Sequence, residues 1–166
     1  MKKFLSIILI LLMLSAILCG CADNEPEKSD MVTFSSDHGY TVSYPASYTP
    51  TSLSSDIDFV IMDETTGSNV NILSRVSEGN VLDFTEEEFV SVMEEDGMDI
   101  ELMAFEFKTV NETPALVATY KYKENEITQI IYDASDNTYY ATYTELPGTS
   151  VKVSGEMLTV IYSLMA

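Results

Sequence analysis

The chain has 166 residues, 8 Lys and Arg against 27 Asp and Glu, a formal net charge of −19, two cysteines, one histidine and no tryptophan. So large an acidic excess excludes a nucleic-acid binder, because phosphate would be repelled, and two cysteines with one His38 exclude a disulfide framework or a His/Cys zinc cluster. What remains is one ordinary domain's worth of chain.

The first element is Met1-Lys2-Lys3 followed by an apolar run from Phe4 to Leu18. A basic start and an apolar stretch shorter than the roughly 20 residues of a membrane span are the pattern of an export signal, expected over residues 1–20. Leu18-Cys19-Gly20-Cys21 resembles the lipobox of bacterial lipoprotein precursors. The resemblance implies that a lipid is attached to the Cys21 thiol and that Cys21 becomes the new N-terminus. It implies in turn a protein held on the extracytoplasmic face of the cell membrane. Loss of Lys2 and Lys3 leaves 6 basic against 27 acidic side chains. Residues 21–30, with Ala-Asp-Asn-Glu-Pro-Glu-Lys-Ser-Asp after the cysteine, are too polar to bury anything and read as a tether. Fully extended, it would reach about 30 Å. The domain is expected over residues 31–166.

Within it, apolar and polar residues first alternate in short runs, the period of half-buried strands. Val32 and Phe34 begin one, Tyr40-Val42-Tyr44 gives a second that Pro45 stops, Ile57-Phe59-Ile61 a third, and Val70-Ile72 with Val76 a fourth. The period then changes. Thr85-Glu86-Glu87-Glu88 is a capping box, flanked by Phe84 and Phe89 at the staple positions. The spacing predicts a helix over 86–96 that buries Phe89, Val92 and Met93 and stops at Gly97. Four more strands are predicted over 100–108, 114–122, 127–132 and 139–144, joined by turns too short for anything but antiparallel hairpins. After Pro147-Gly148, Leu158, Ile161, Tyr162 and Met165 recur at helical spacing, and Met157, Val160 and Leu164 widen the stripe.

Strands, helix, strands, helix is an α+β pattern, a single antiparallel β-sheet flanked by helices. Gly39-Tyr40-Thr41-Val42-Ser43-Tyr44-Pro45, Asn69-Val70-Asn71-Ile72, the acid-capped helix, Thr113-Pro114-Ala115 and Tyr139-Tyr140-Ala141-Thr142-Tyr143 together resemble the PsbP-like fold. That fold is shared by the photosystem II extrinsic subunit PsbP, a Ran-binding nuclear import factor and bacterial DcrB-type lipoproteins. The resemblance implies an α/β/α sandwich over most of residues 31–166 and a protein-binding role, since members of the fold mostly bind other proteins.

Candidate sites are few. Ser35-Ser36-Asp37-His38 holds the residue types of a nucleophile, base and orienter, but three of them within four positions of one turn do not point at a common atom, and a turn is expected. Glu94, Glu95, Asp96, Asp99 and Glu101 crowd the helix exit, where the dipole is negative, and form a speculative acidic patch for a cation or a basic partner. They lack the spacing of a calcium loop, and neither a resident metal nor a cofactor is expected. Arg75, the one arginine, is expected in an internal ion pair, with carboxylate binding as the alternative. The ten tyrosines suit strands, and could also line a partner groove. The function expected is therefore a membrane-tethered, non-enzymatic binding or protein-interaction module, anchored through Cys21, with a protein partner and no nucleic acid. The alternatives are an envelope enzyme working through paired carboxylates, or capture of a small solute or cation for a transporter.

Overall fold

Side-chain alternation turns into pleated structure along most of the chain. The computed structural model describes residues 30–166; the expected signal segment, Cys21 and the tether up to residue 29 lie outside them. In chain order the elements are β1 (Met31–Ser35), β2 (Thr41–Pro45), β3 (Phe59–Met62), β4 (Asn69–Val76), a 3-10 turn (Val81–Asp83), α1 (Glu86–Glu95), β5 (Ile100–Val110), β6 (Thr113–Tyr122), β7 (Asn125–Ala134), β8 (Asn137–Glu145) and α2 (Val151–Tyr162). Strands β3 to β8 form one six-stranded antiparallel sheet in the order β3-β4-β8-β7-β6-β5.

Period-2 alternation gives the sheet two buried faces. One carries Phe59, Ile61, Ile72, Ala141 and Tyr143 and is covered by Met157, Val160, Ile161 and Leu164 of α2 and its exit. The other carries Leu116, Ala118, Tyr120, Ile127 and Ile131 and receives Phe89 of α1. The result is the expected α+β fold, with helices on both sides of an antiparallel sheet. The first two strands depart from a single sheet and form a ribbon of their own. The ribbon is claimed by the end of α2: Thr41 and Met165 exchange backbone hydrogen bonds of 2.6 and 2.9 Å, and the Ser43 N–H donates to Ser163 Oγ at 2.8 Å. The edge of β3 is taken instead by Thr51, bridged to Val60.

Three hairpins join β5 to β8, each through a two-residue loop: Asn111-Glu112, Lys123-Glu124 and Ser135-Asp136. The first has positive φ at both positions, 48° and 67°, the geometry whose twist matches the flanking strands. Its Asn111 also donates through Nδ2 to the carbonyls of Tyr162, at 2.9 Å, and Leu164, at 2.8 Å. The hairpin is thereby tied to the exit of α2, whose last carbonyls have no partner within the helix.

Helix α1 starts and stops where its sequence directs. Thr85 Oγ1 accepts from the Glu88 N–H at 3.2 Å while Glu88 Oε2 accepts from the Thr85 N–H at 2.9 Å. At the other end Gly97 has φ 79°, and the N–H groups of Gly97 and Met98 donate to the carbonyls of Glu94 and Met93 at 2.9 and 2.8 Å. This left-handed closure is open to glycine at little cost. The burial expected of the helices needs two corrections. Val92 is 45% exposed, because α1 rests on β5 and β6 through Phe89 and holds Val92 over a gap. Tyr162 and Met165 are exposed as well, since α2 ends at Tyr162 and Met165 turns away to pair with Thr41.

Candidate functional site: the cleft under α1

On its own face of the sheet α1 rests on the β5–β6 side, and the β4 and β8 part of that face has no helix packed closely on it, whereas α2 covers the opposite face. Strand registers decide what lies there. Leu73, Tyr140, Ile131, Leu116 and Phe107 form one row across the strands; Asn71, Thr142, Gln129, Ala118 and Phe105 form the next. Arg75, Thr138 and Asp133 lie in a row on the other side of the Leu73 row. The gap between this floor and α1 is a cleft of about 350 Å³. Its roof is Val81, Phe84, Phe89, Val92 and Met93, with Asp96 and Met98 at the helix exit. The volume falls at the low end of small-ligand sites, and the mostly apolar lining with a few polar groups is their usual chemistry.

The cleft is shaped by hydrogen bonds as well as by packing. Asp133 accepts from the Val81 N–H at 2.7 Å, from Ser77 Oγ at 3.3 Å and from Thr138 Oγ1 at 2.5 Å, which pins the 3-10 turn to the end of β7. Phe89 meets Phe105 and Tyr120 edge-on at 5.8 and 5.7 Å. Burial pushes the Tyr120 phenol up to about 12, and it raises that of Tyr140 too, where Arg75 acts in the opposite direction. Both hydroxyls are neutral at physiological pH.

The acids expected to act together are dispersed. Asp96 lines the cleft, whereas Glu94 faces the outer side of α1 beside Glu86 and Glu87. Two positions along a helix turn the side chain by about 200°, so neighbours in sequence part company. Asp99 is exposed in the loop that follows, and Glu101 is an exposed residue of β5 paired across the ladder with Lys121. No group of three or more His, Cys, Asp or Glu side chains able to hold a metal ion occurs among the described residues. The Ser-Asp-His turn is a turn. Ser36 and the Tyr40 hydroxyl both donate to Asp58, and His38 Nε2 meets the Ser55 carbonyl at 2.7 Å rather than either serine hydroxyl.

Arg75 departs from its expected ion pair. The two ion pairs among the described residues are Lys108–Glu106 and Lys152–Glu156, and the Arg75 guanidinium makes neither an ion pair nor a hydrogen bond there. Its row neighbour is Thr138, and the nearest acid along that row, Asp133, is occupied by Val81, Ser77 and Thr138. Sequence reasoning missed Gln129 altogether. A lone amide in the run from Ile127 to Tyr132 was the available signal, since a polar side chain amid strand apolars needs a partner. Gln129 Nε2 donates to Thr142 Oγ1 at 3.0 Å, but its Oε1 is buried with no donor.

Helix, six-stranded sheet, and helix with ribbon can be compared with solved structures. The solution structure of cyanobacterial PsbP (CyanoP) from Synechocystis sp. PCC 6803 superposes with a TM-score of 0.63, over 83% of this chain and 93% of that one, at 14% identity. The fold is PsbP-like. Weaker likenesses are a Bacteroides thetaiotaomicron VPI-5482 protein, with a TM-score of 0.47 and 16% identity over 81% of this chain and 47% of that one, and a Pseudomonas aeruginosa protein of unknown function, with 0.41 and 13% over 70% and 83%. No protein-family model matches the sequence, and no curated protein does. At such identities the PsbP-like likeness carries the architecture alone, and function has to be argued from the cleft.

Proposed function

We propose that the protein is a membrane-tethered extracytoplasmic lipoprotein whose PsbP-like domain is a non-enzymatic binding or protein-interaction module. The cleft under α1 is its binding surface. The observation that carries this reading is the placement of α1: it leaves a mostly apolar recess open beside the α1-side surface of β4 and β8, opposite the face that α2 covers. Acid–base work through carboxylates takes two acids facing one substrate, and Asp96 is the one carboxylate among the lining residues. The Leu18-Cys19-Gly20-Cys21 segment supports the tether, and no helix among the described residues is long and apolar enough to cross a membrane by itself.

Two measurements test the proposal. A metabolically incorporated fatty acid should label the wild-type chain and not the Cys21→Ala variant; label in that variant would overturn the anchor. Val92→Trp, at an exposed position, should fill the cleft without disturbing the melting temperature and should remove a partner that mild crosslinking on membranes joins to the wild type. Identical crosslinks in both would overturn the cleft as the binding surface.

A further inference from the structure

The edge of the six-stranded sheet at β3 is bridged by Thr51, whereas β5 has β6 on one side and no strand on the other among the described residues. An open edge offers a row of backbone N–H and C=O groups to another strand. The register decides which groups those are. Pro114 stands opposite Thr109 and has no N–H, so these two are not a pair that exchanges both ladder bonds. The two-residue loop at Asn111-Glu112 agrees, since it makes Val110 and Thr113 the bonded pair. Bonded pairs alternate along a ladder, and Thr109, Phe107 and Phe105 therefore turn their N–H and C=O groups outward, while Glu106 and Lys108 direct theirs to β6.

This edge is exposed, and it is bounded at both ends. The bulge between Leu102 and Ala104 interrupts it on one side and the hairpin on the other, so the regular stretch runs from Ala104 to Val110 with Phe107 at its middle. Residues 106–109 are all exposed, and Phe107 is 48% exposed. On the α1 side the rings of Phe105 and Phe107 meet edge-on at 5.6 Å; on the other side the Lys108 ammonium pairs with the Glu106 carboxylate. Charged side chains on an edge ordinarily discourage a neighbouring strand. The order Glu106-Phe107-Lys108 removes that objection for one neighbour.

We infer that this neighbour is a second copy of the chain, its β5 running antiparallel to the first about a twofold axis at Phe107. In that register Glu106 of each copy stands opposite Lys108 of the other, Phe107 opposite Phe107, and Phe105 opposite Thr109. The outward groups coincide: Phe107 exchanges backbone bonds with its counterpart, and Phe105 with Thr109 in both directions. Glu106 and Lys108 fall at the positions between those bonds, where side chains approach most closely and opposite charges stabilise. The acidic excess of the chain weakens such a pair, and Lys108 offsets it where the two copies are nearest. Adjacent registers fail. An axis at Glu106 sets Glu106 against itself, one at Lys108 sets Lys108 against itself, and one at Phe105 carries Phe107 onto the bulge at Met103. An axis between two residues sets outward groups against inward ones. The edge is thus complementary to itself in a single register, a property that pairing with an unrelated strand does not require.

Sedimentation equilibrium of the full chain in a density-matched non-ionic detergent tests the pairing. The wild type should show a concentration-dependent monomer–dimer equilibrium. Lys108→Glu and Glu106→Lys should each weaken it about tenfold, because attraction becomes repulsion at both symmetry-related contacts. The double variant Glu106→Lys/Lys108→Glu should restore the dimer, and the two single variants mixed in equal amounts should pair with each other as the wild type does with itself. Thr109→Pro, whose missing N–H is an outward one, should keep the wild-type melting temperature and lose the dimer. Hydrogen exchange at the N–H groups of Phe105, Phe107 and Thr109 should slow as protein concentration rises. A wild type that is monomeric at every concentration would overturn the proposal, as would a dimer indifferent to Thr109→Pro. Single variants that weaken a dimer which the double variant does not restore would overturn the register. Slow exchange at the three N–H groups in a monomer, independent of concentration, would assign the edge to residues 1–29 of the same chain and overturn the second copy.

Discussion

Asn111 carries two duties that a hairpin residue does not ordinarily combine. Its left-handed φ of 48° is one that asparagine tolerates better than most residues, and its amide supplies both hydrogens to carbonyls at the exit of α2. Asn111→Ala should therefore cost roughly 2 kcal/mol, from the strained φ together with two lost hydrogen bonds, while Asn111→Gly, which keeps the φ, should cost about half of that. Urea unfolding of the three proteins separates the contributions. Equal losses for Ala and Gly would assign the whole effect to the hydrogen bonds. The same residue reads as a glycosylation acceptor by its letters, Asn111-Glu112-Thr113, which shows how little a short motif says before its side chain is placed.

Helix α1 is the element on which the cleft depends, and its stability has two separable sources. The cap acts locally: Thr85→Ala removes the acceptor for the Glu88 N–H and should cost about 1 kcal/mol. The packing acts through Phe89, which is 2% exposed and meets Phe105 and Tyr120, so Phe89→Ala should cost about 3 kcal/mol or more. Denaturant midpoints check both, and a Phe89→Ala protein close to wild type would contradict the seating of α1. The capping box also gives Glu88 a carboxyl held below its ordinary range by the backbone N–H of Thr85. Its stabilising effect is present above that range and is lost as pH falls through the lowered value.

For the molecule as a whole, pH acts more strongly from the alkaline side. Burial raises the phenols of Tyr40, Tyr132 and Tyr143 above their ordinary range, and brings Tyr48 and Tyr120 to about 12. At Tyr40, hydrogen bonding to Asp58 adds to burial. In the unfolded chain these groups ionise near 10.0, so above that pH the folded protein holds protons that the unfolded one has lost. Stability should consequently hold up to about pH 9 and fall through the window from about pH 10 to 12. Urea midpoints taken at about pH 9 and about pH 11 measure the fall, and an unchanged midpoint would mean that these tyrosines are not buried as described.

Local periodicity settled most of the elements from the sequence alone, because a period of 2.0 or 3.6 fixes which way each side chain points regardless of what it will meet. Val70-Ile72, Tyr139-Tyr143 and the stripe through Val160 and Leu164 thus appeared as strands and helix, and Thr85-Glu88 with Gly97 marked both ends of α1. Pairing between distant segments was decided only in three dimensions. The C-terminal strand β8 enters the sheet between β4 and β7, and the β1–β2 ribbon joins the exit of α2 instead of β3, through bonds between residues more than a hundred positions apart. The cleft is of that second kind. Arg75, Gln129, Tyr140 and Val92 come from four separate elements, and no window of sequence contains the free energy of packing that sets one beside another.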